Sequence, residues 1–369
     1  MIIGGIVLAL VHWLFYRRFI RATGVPGPAK TVAAGVLVVL WLALVVAFSA
    51  GSLYSPEPIR PIVWFGLTWS AVMFYLLLGL LVIGLILLIA RLAQFSNRLL
   101  LLRVLSAVLV VAAVGTVAYG VYEADNPHVV SAEVRSPKLP AELDGVRVAV
   151  VADIHVGAAR GPAFTQRVVD LVNRQQPDVI VLPGDLIDGS VELVGPDIAP
   201  IAGLTAKYGK FAVAGNHEGY VDGVADWMDF WETLGLRTLR NQRAEIPING
   251  ATLELAGVYD YDAPDPYGPD VDAAVAGHRP DRFLMLIAHQ PRQAPEAAAR
   301  GIDLQVSGHT HGGQIWPLNY VVGWVNGTVA GLDRVDGMQL FTTRGVGAWG
   351  PPVRVGARPD IAILTLRRG

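Results

Sequence analysis

The chain has 369 residues, with 29 Lys/Arg against 31 Asp/Glu and a formal net charge of −2. It contains no cysteine, which excludes disulfides, cysteine nucleophiles and thiolate metal sites and suits an oxidising compartment. A mildly acidic chain without a concentrated basic surface argues against a nucleic-acid partner.

Charge and hydropathy divide the sequence. Residues 1–126 hold eight Lys/Arg and three Asp/Glu, and residues 127–369 hold 21 and 28. The first part is expected to be an all-α transmembrane region, with spans near 1–16, 31–53, 62–90 and 104–122. A helix needs about 20 apolar residues to cross the hydrocarbon core. The first run is marginal in length, but Arg17, Arg18 and Arg21 follow it as an interfacial anchor. The basic residues cluster in the loops at 17–30 and 91–103, and only Arg60 lies between the second and third spans. Positive loops stay inside, so the domain at 127–369 is expected outside the cell membrane. The spans carry no Asp, Glu, Lys or Arg to mark a transport pathway, and His12 reads as a helix-packing residue.

Beyond residue 127 the pattern alternates. "VRVAVVADIH" is an apolar strand that ends in polar residues, and "PAFTQRVVDLVNRQ" (162–175) has helical spacing. "DVIVLPGD", "KFAVAGNHE", "FLMLIAHQP" and "DLQVSGHTH" repeat the strand-then-polar form. "ADWMDFWETLG" (225–235) reads as a helix, and "AEIPINGATLELAGV" (244–258) as a hairpin around Asn-Gly. "QLFTTRG" and "IAILTL" add strands without helices between them. Strands alternating with helices imply an α/β architecture with mixed sheets. The segment 123–136 is expected to be a linker, with the first sheet strand starting near Val146.

Five strand ends deliver Asp153 and His155, Asp185 and Asp188, Asn216 and His217, His289, and His309 and His311. Five of the eight histidines in the chain fall in this set. Ligands of α/β sheets sit off the carboxyl ends of strands. Imidazoles, carboxylates and one amide suit Mn, Fe, Zn or Ni rather than Ca or Mg alone. Glycines 184, 215, 308, 312 and 313 leave room for backbone to approach such ions. Two metals about 4 Å apart could each take one of His309 and His311.

The blocks "DIH" (153–155), "GDLID" (184–188), "GNHE" (215–218), His289 and "GHTHGG" (308–313) resemble the signature of the calcineurin-like metallophosphoesterase superfamily. The resemblance covers roughly residues 145–366. "GHTHGGQ" with "TRGVGAWGPPVRVGARPDI" (343–361) resembles the bacterial membrane-associated phosphodiesterase branch, and the apolar N-terminus is similar to transmembrane proteins with a metallophosphoesterase domain. The resemblance implies a two-sheet α/β/β/α sandwich behind a bundle of about four helices. It implies that Asp153, His155 and His311 hold one divalent metal ion, that Asn216, His289 and His309 hold a second, and that Asp185 bridges them. His217 would then be the catalytic acid and Asp188 the carboxylate that orients it. Glu218 stands where many relatives have aspartate, and no catalytic role is assigned to it.

Tyr220, Arg344 and Arg354 are further candidates for substrate contact. Trp227, Phe230 and Trp231 are expected in the core by their helical spacing, although exposed parts of them and of Trp316 could form an apolar route from the bilayer. The expected function is dinuclear metal-dependent hydrolysis of a phosphoester, phosphodiester or pyrophosphate bond. A phosphorylated, lipid-linked substrate is favoured because the domain is tethered close to the membrane. The alternative is a metal-occupied sensor or binding module without turnover.

Overall fold

The structure is a computed structural model that describes residues 2–50, 53–220 and 223–369. Among the described residues, four helices are long and apolar enough to cross a membrane, and the chain is membrane-integrated. They are α1 (Ile2–Phe15), continued by a π-helical turn at Tyr16–Arg21, α2 (Gly27–Ala47), α3 (Arg60–Leu92) and α4 (Arg98–Asp125). His12 is buried among them. It accepts from Trp69 Nε1 at 2.9 Å and bonds the Leu8 carbonyl through Nδ1 at 2.7 Å, the packing role expected of it.

The strands are β1 (His128–Ser136), β2 (Arg147–Val150), β3 (Val156–Gly157), β4 (Val179–Leu182), β5 (Ile187–Asp188), β6 (Lys210–Ala212), β7 (Arg237–Thr238), β8 (Gln242–Ile248), β9 (Ala251–Gly257), β10 (Leu284–Ile287), β11 (Leu304–Ser307), β12 (Gly331–Val335), β13 (Met338–Thr342) and β14 (Asp360–Arg368). The helices between them are α5 (Pro162–Asn173), α6 (Val191–Ile198), α7 (Asn216–Tyr220), α8 (Val224–Thr233), α9 (Val271–Val275), α10 (Ala294–Ala299) and α11 (Leu318–Asn326).

Two six-stranded sheets form, in the orders β1-β14-β2-β4-β6-β7 and β12-β13-β11-β10-β9-β8. The inner strands run parallel, and the β8-β9, β12-β13 and β14-β2 pairs run antiparallel. Val148, Val150 and Leu364 of one sheet pack against Ile246, Met285 and Val306 of the other. Alternate residues point to opposite faces of a strand, so Ala149 and Ile180 turn outward under α5 and α8, and Leu284 and Leu286 under α9 and α10. The result is the expected α/β/β/α sandwich.

The segment expected to be a linker is not one. Helix α4 runs to Asp125 and β1 starts at His128. β1 pairs in parallel along its whole length with β14, from His128 opposite Asp360 to Ser136 opposite Arg368. The domain is therefore fixed to the bundle. Arg60, at the start of α3, pairs with Asp197 at 2.7 Å, and Arg160 donates to the Ala124 carbonyl at the end of α4. Trp227 and Trp231 are fully buried in the core, and Phe230 packs partly buried against it. Those three residues are core, and of the aromatic route only Trp316 is left exposed.

Candidate metal centre

The polar residues gather where both sheets end. Asp153 follows β2, Asp185 follows β4, Asn216 follows β6, His289 follows β10, and His309 and His311 follow β11. Asp153, His155, Asp185, His309 and His311 all adopt positive φ, between 49° and 69°. Positive φ is uncommon in non-glycine residues, and five of the eleven among the described residues lie here. Glycine lets the strand ends close up. A Cβ on Gly308 would collide with the Asp153 carboxylate, and one on Gly215 with that of Asp185.

Two clusters share Asp185. In the first, His155 Nε2 lies 3.0 Å from His311 Nε2 and 3.7 Å from Asp185 Oδ2, and His311 Nε2 lies 3.6 Å from Asp153 Oδ1. In the second, His289 Nε2 lies 3.1 Å from both Asp185 Oδ2 and Asn216 Oδ1, while His309 Nδ1 lies 3.0 Å from Asn216 Oδ1. Ligands bonded at about 2.1 Å in tetrahedral or octahedral array stand about 3.0–3.4 Å apart. The 3.0–3.1 Å separations fall in that range, the two longer ones lie a few tenths of an ångström beyond it, and the two clusters fit a dinuclear site. The tautomers of two of the imidazoles fit as well. His155 Nδ1 donates to Asp188 Oδ1 at 2.8 Å and His289 Nδ1 to the Pro183 carbonyl at 2.6 Å, which leaves each Nε2 lone pair free for a metal. Burial raises the Asp153 carboxyl to about 6; His289 opposes the rise and Asp185 adds to it. Cations would relieve that cost of burying carboxylates together.

Asp188 Oδ1 also accepts from His217 Nδ1, at 2.7 Å. One carboxylate thus orients both a proposed ligand and the proposed acid. Burial pushes the Asp188 carboxyl up, but His155 and His217 favour its charged form more strongly, so its pKa is lowered. For His217, burial acts downward, and Asp185 with Asp188 outweighs it to hold the imidazolium at about 9. A protonated His217 is a proton donor at neutral pH.

The chain matches the calcineurin-like phosphoesterase model over residues 146–313. It is 32% identical over 239 residues to an uncharacterized metallophosphoesterase of Aquifex aeolicus, covering 63% of this chain and 89% of that one. The chain belongs to the calcineurin-like phosphoesterase family. It is also 33% identical over 270 residues to the transmembrane protein with metallophosphoesterase domain of Danio rerio, and 35% identical over 257 residues to that of Bos taurus. Those matches cover 70% and 66% of this chain, and span about 62% and 58% of the relatives.

As a metallophosphoesterase, the chain has features around the centre that the motifs did not disclose. Glu218 is fully buried, and its carboxylate accepts from the main-chain N–H groups of Asp185, Leu186 and Gly215 at 2.7–3.0 Å. It joins the two motif loops by their backbone. Trp349 sits with its ring 6.1 Å from that of His217, held by Gln314, whose amide both donates to the Trp349 carbonyl and accepts from its N–H. The run at 343–361 that contains Trp349 carries the resemblance to the phosphodiesterase branch, but nothing in the sequence aims the indole at His217. Tyr220 stacks 5.0 Å from His217 and accepts from Asn216 Nδ2.

The two arginines fall elsewhere. Arg354 is fully buried, and its guanidinium donates to the carbonyls of His311, Arg344 and Gly347. It is a structural residue behind His311 rather than a substrate contact, because its donors are spent on main chain. Arg344 pairs with Asp360 at 3.3 Å and does not line the cavity that holds the histidines.

Proposed function

We propose that this chain is a dinuclear metal-dependent hydrolase of phosphoester, phosphodiester or pyrophosphate bonds that acts on a membrane-borne substrate, with its catalytic domain outside the cell. The observation that supports it is one cavity of about 460 Å³. Asp185, Asn216, His217, Tyr220, His309, His311 and Trp349 line it together with Ser70, Ala71 and Phe74 of the transmembrane helix α3. A phosphate held at the histidines is therefore within one cavity's reach of an apolar helix.

Asp153, His155, His311 and Asp185 would hold one ion, and Asp185, Asn216, His289 and His309 the other. When bound, Mn, Fe, Zn or Ni ions there supply Lewis-acid polarisation of phosphoryl oxygens and acidify a water nucleophile. The chain's own groups do the rest. His217 protonates the leaving oxygen, and Asp188 fixes its ring by the Nδ1 hydrogen bond. Tyr220 and Trp349 flank His217 and bound the space for the leaving group. The outside placement follows from charge. The domain joins the bundle at Arg60 and Asp125, the ends opposite to Arg91 and Arg98, and the basic end stays in the cytoplasm.

The test uses full-length protein in lipid nanodiscs with Mn²⁺. The probes are p-nitrophenyl phosphate, methyl p-nitrophenyl phosphate and hexadecyl p-nitrophenyl phosphate. Metal-dependent release of p-nitrophenol is expected. The hexadecyl diester should exceed the methyl diester by at least roughly tenfold in kcat/KM, the worth of burying two methylenes at ~0.8 kcal/mol each. No turnover of any of these probes, nor of a lipid pyrophosphate, by metal-loaded protein would reduce the chain to a binding module.

A further inference from the structure

Helix α11 is built inside out. Tyr320, Val321, Trp324 and Val325 are 69, 55, 86 and 52% exposed, and their spacing places them on one helical face. The half-buried face carries Asn319, Val322, Gly323 and Asn326. The Oδ1 atoms of both asparagines are buried without a hydrogen-bond partner among the described residues. A surface helix in water shows the reverse arrangement. Trp316 and Leu318, 54 and 38% exposed, extend the apolar patch, and a patch of this kind is an interaction surface.

Its depth follows from one hydrogen bond. Tyr75 Oη donates to the Trp316 carbonyl at 2.9 Å. α3 has 33 residues, or about 50 Å, while the hydrocarbon core takes about 30 Å, or about 20 residues. A window of about 20 residues placed anywhere on Arg60–Leu92 contains residues 73–79. Tyr75 therefore lies in hydrocarbon in every register of the helix, and the Trp316 backbone lies beside it. Ile315 and Val353 are buried in the same cluster as Phe15, Leu44, Ala71 and Val117 of the bundle. Irregular backbone at that depth must have its polar groups satisfied. Here the Trp316 N–H donates to the Val355 carbonyl and the Val355 N–H to the Gln314 carbonyl, both at 2.9 Å.

We infer that α11 lies in the leaflet next to the catalytic domain with its aromatic face in lipid, and that α11 and α3 form a lateral mouth to the metal centre. Leu318 and Val322 of α11 and Ala71 and Phe74 of α3 line the cavity. The apolar tail of a lipid-linked phosphate enters between them from the bilayer, and its phosphate reaches the histidines without passing through water. Asn326 also lines the cavity. The occupant of the mouth rests on the function proposed above, whereas the lipid contact of α11 does not.

The absence of cysteine in the chain makes single-cysteine spin labelling direct. Nitroxides at Tyr320→Cys, Val321→Cys, Trp324→Cys and Val325→Cys are compared in nanodiscs with Val108→Cys on α4 and with Asp281→Cys on the domain surface. Collision rates with oxygen and with a water-soluble nickel chelate are read by EPR. The α11 labels are expected to favour oxygen as Val108→Cys does. Nickel access equal to that of Asp281→Cys overturns the membrane placement. The mouth is tested by Val322→Trp, with Val322→Phe as a milder plug. The ratio of kcat/KM for the hexadecyl over the methyl diester should fall roughly tenfold, the usual scale of a steric change in an apolar pocket. An unchanged ratio in both variants overturns lateral entry. If neither ester is hydrolysed by the unsubstituted protein, the phosphodiester reading falls, and the spin labels still decide the place of α11.

Discussion

The carbonyl of Gly120 accepts the main-chain N–H of Arg354 at 2.9 Å. Gly120 belongs to α4, and a Cβ there would collide with the side chains of Val353 and Val355. The Arg354 guanidinium in turn donates to the His311 carbonyl and lies 3.0 Å from its Nδ1. A long apolar helix of the bundle and a proposed metal ligand thus share one residue, and the position of the bundle is passed to the metal centre by direct contact.

Arg354→Met should bare the carbonyls of His311, Arg344 and Gly347. Each buried acceptor left without a donor costs about 1–3 kcal/mol. The expected outcome is a lower melting temperature and loss of the ion held by His311, with the ion at His289 retained. Arg354→Lys should rescue little, because a point ammonium cannot span the carbonyls that the planar fork reaches. Elemental analysis beside thermal unfolding checks this, and full metal content in Arg354→Met would contradict it.

Glu218 holds three main-chain N–H groups with one carboxylate. Glu218→Gln turns an amide donor toward one of those N–H groups. A loss of about 1–3 kcal/mol in stability is expected, with weaker binding of both ions because Asp185 moves with its loop. Unfolding in detergent and metal titration measure the two effects. If stability falls while metal affinity is unchanged, the link from Glu218 to Asp185 is broken.

Binding and catalysis should separate between Asp185 and His217. Asp185→Asn weakens both ions, because that carboxylate touches both clusters. His217→Ala should keep both ions and lose about two to four orders of magnitude in kcat, the usual worth of a general acid. The loss should be largest for esters with a poor leaving group. Metal loss in His217→Ala would make that residue a ligand instead.

The outside placement predicts the behaviour of reporters fused after Gly369. An alkaline phosphatase fusion should be active and a green fluorescent protein fusion dark, if the loops at 17–30 and 91–103 face the cytoplasm. The opposite pair of results reverses the orientation and moves the substrate search to lipid precursors of the inner leaflet.

Much of the fold was legible in the sequence. The four spans are visible because hydropathy is a property of each residue, and about 20 apolar residues in a row have few other uses. The strand-to-motif junctions are visible because each block joins an apolar run to polar residues within ten positions, and a strand delivers its last residues to one place. The hairpin at Asn249–Gly250 follows from local turn chemistry. Some readings failed for equally local reasons. "HVVSAEVRS" alternates like a strand, yet it starts two residues after a transmembrane helix and its partner strand begins at Asp360.

The sequence by itself determined the membrane segments, the α/β class and the identities of the polar residues that meet at the strand ends, since helix period, strand period and ligand chemistry are set by neighbouring residues. Only the tertiary structure decided which side chains face the cavity and which face lipid or core. It put Trp324 outside, turned Arg354 onto main-chain carbonyls, and brought Phe74 beside His217's cavity. Each of those outcomes depends on a surface contributed by residues far away in the chain, and the free energy of burying a face exists only once that partner surface is in place.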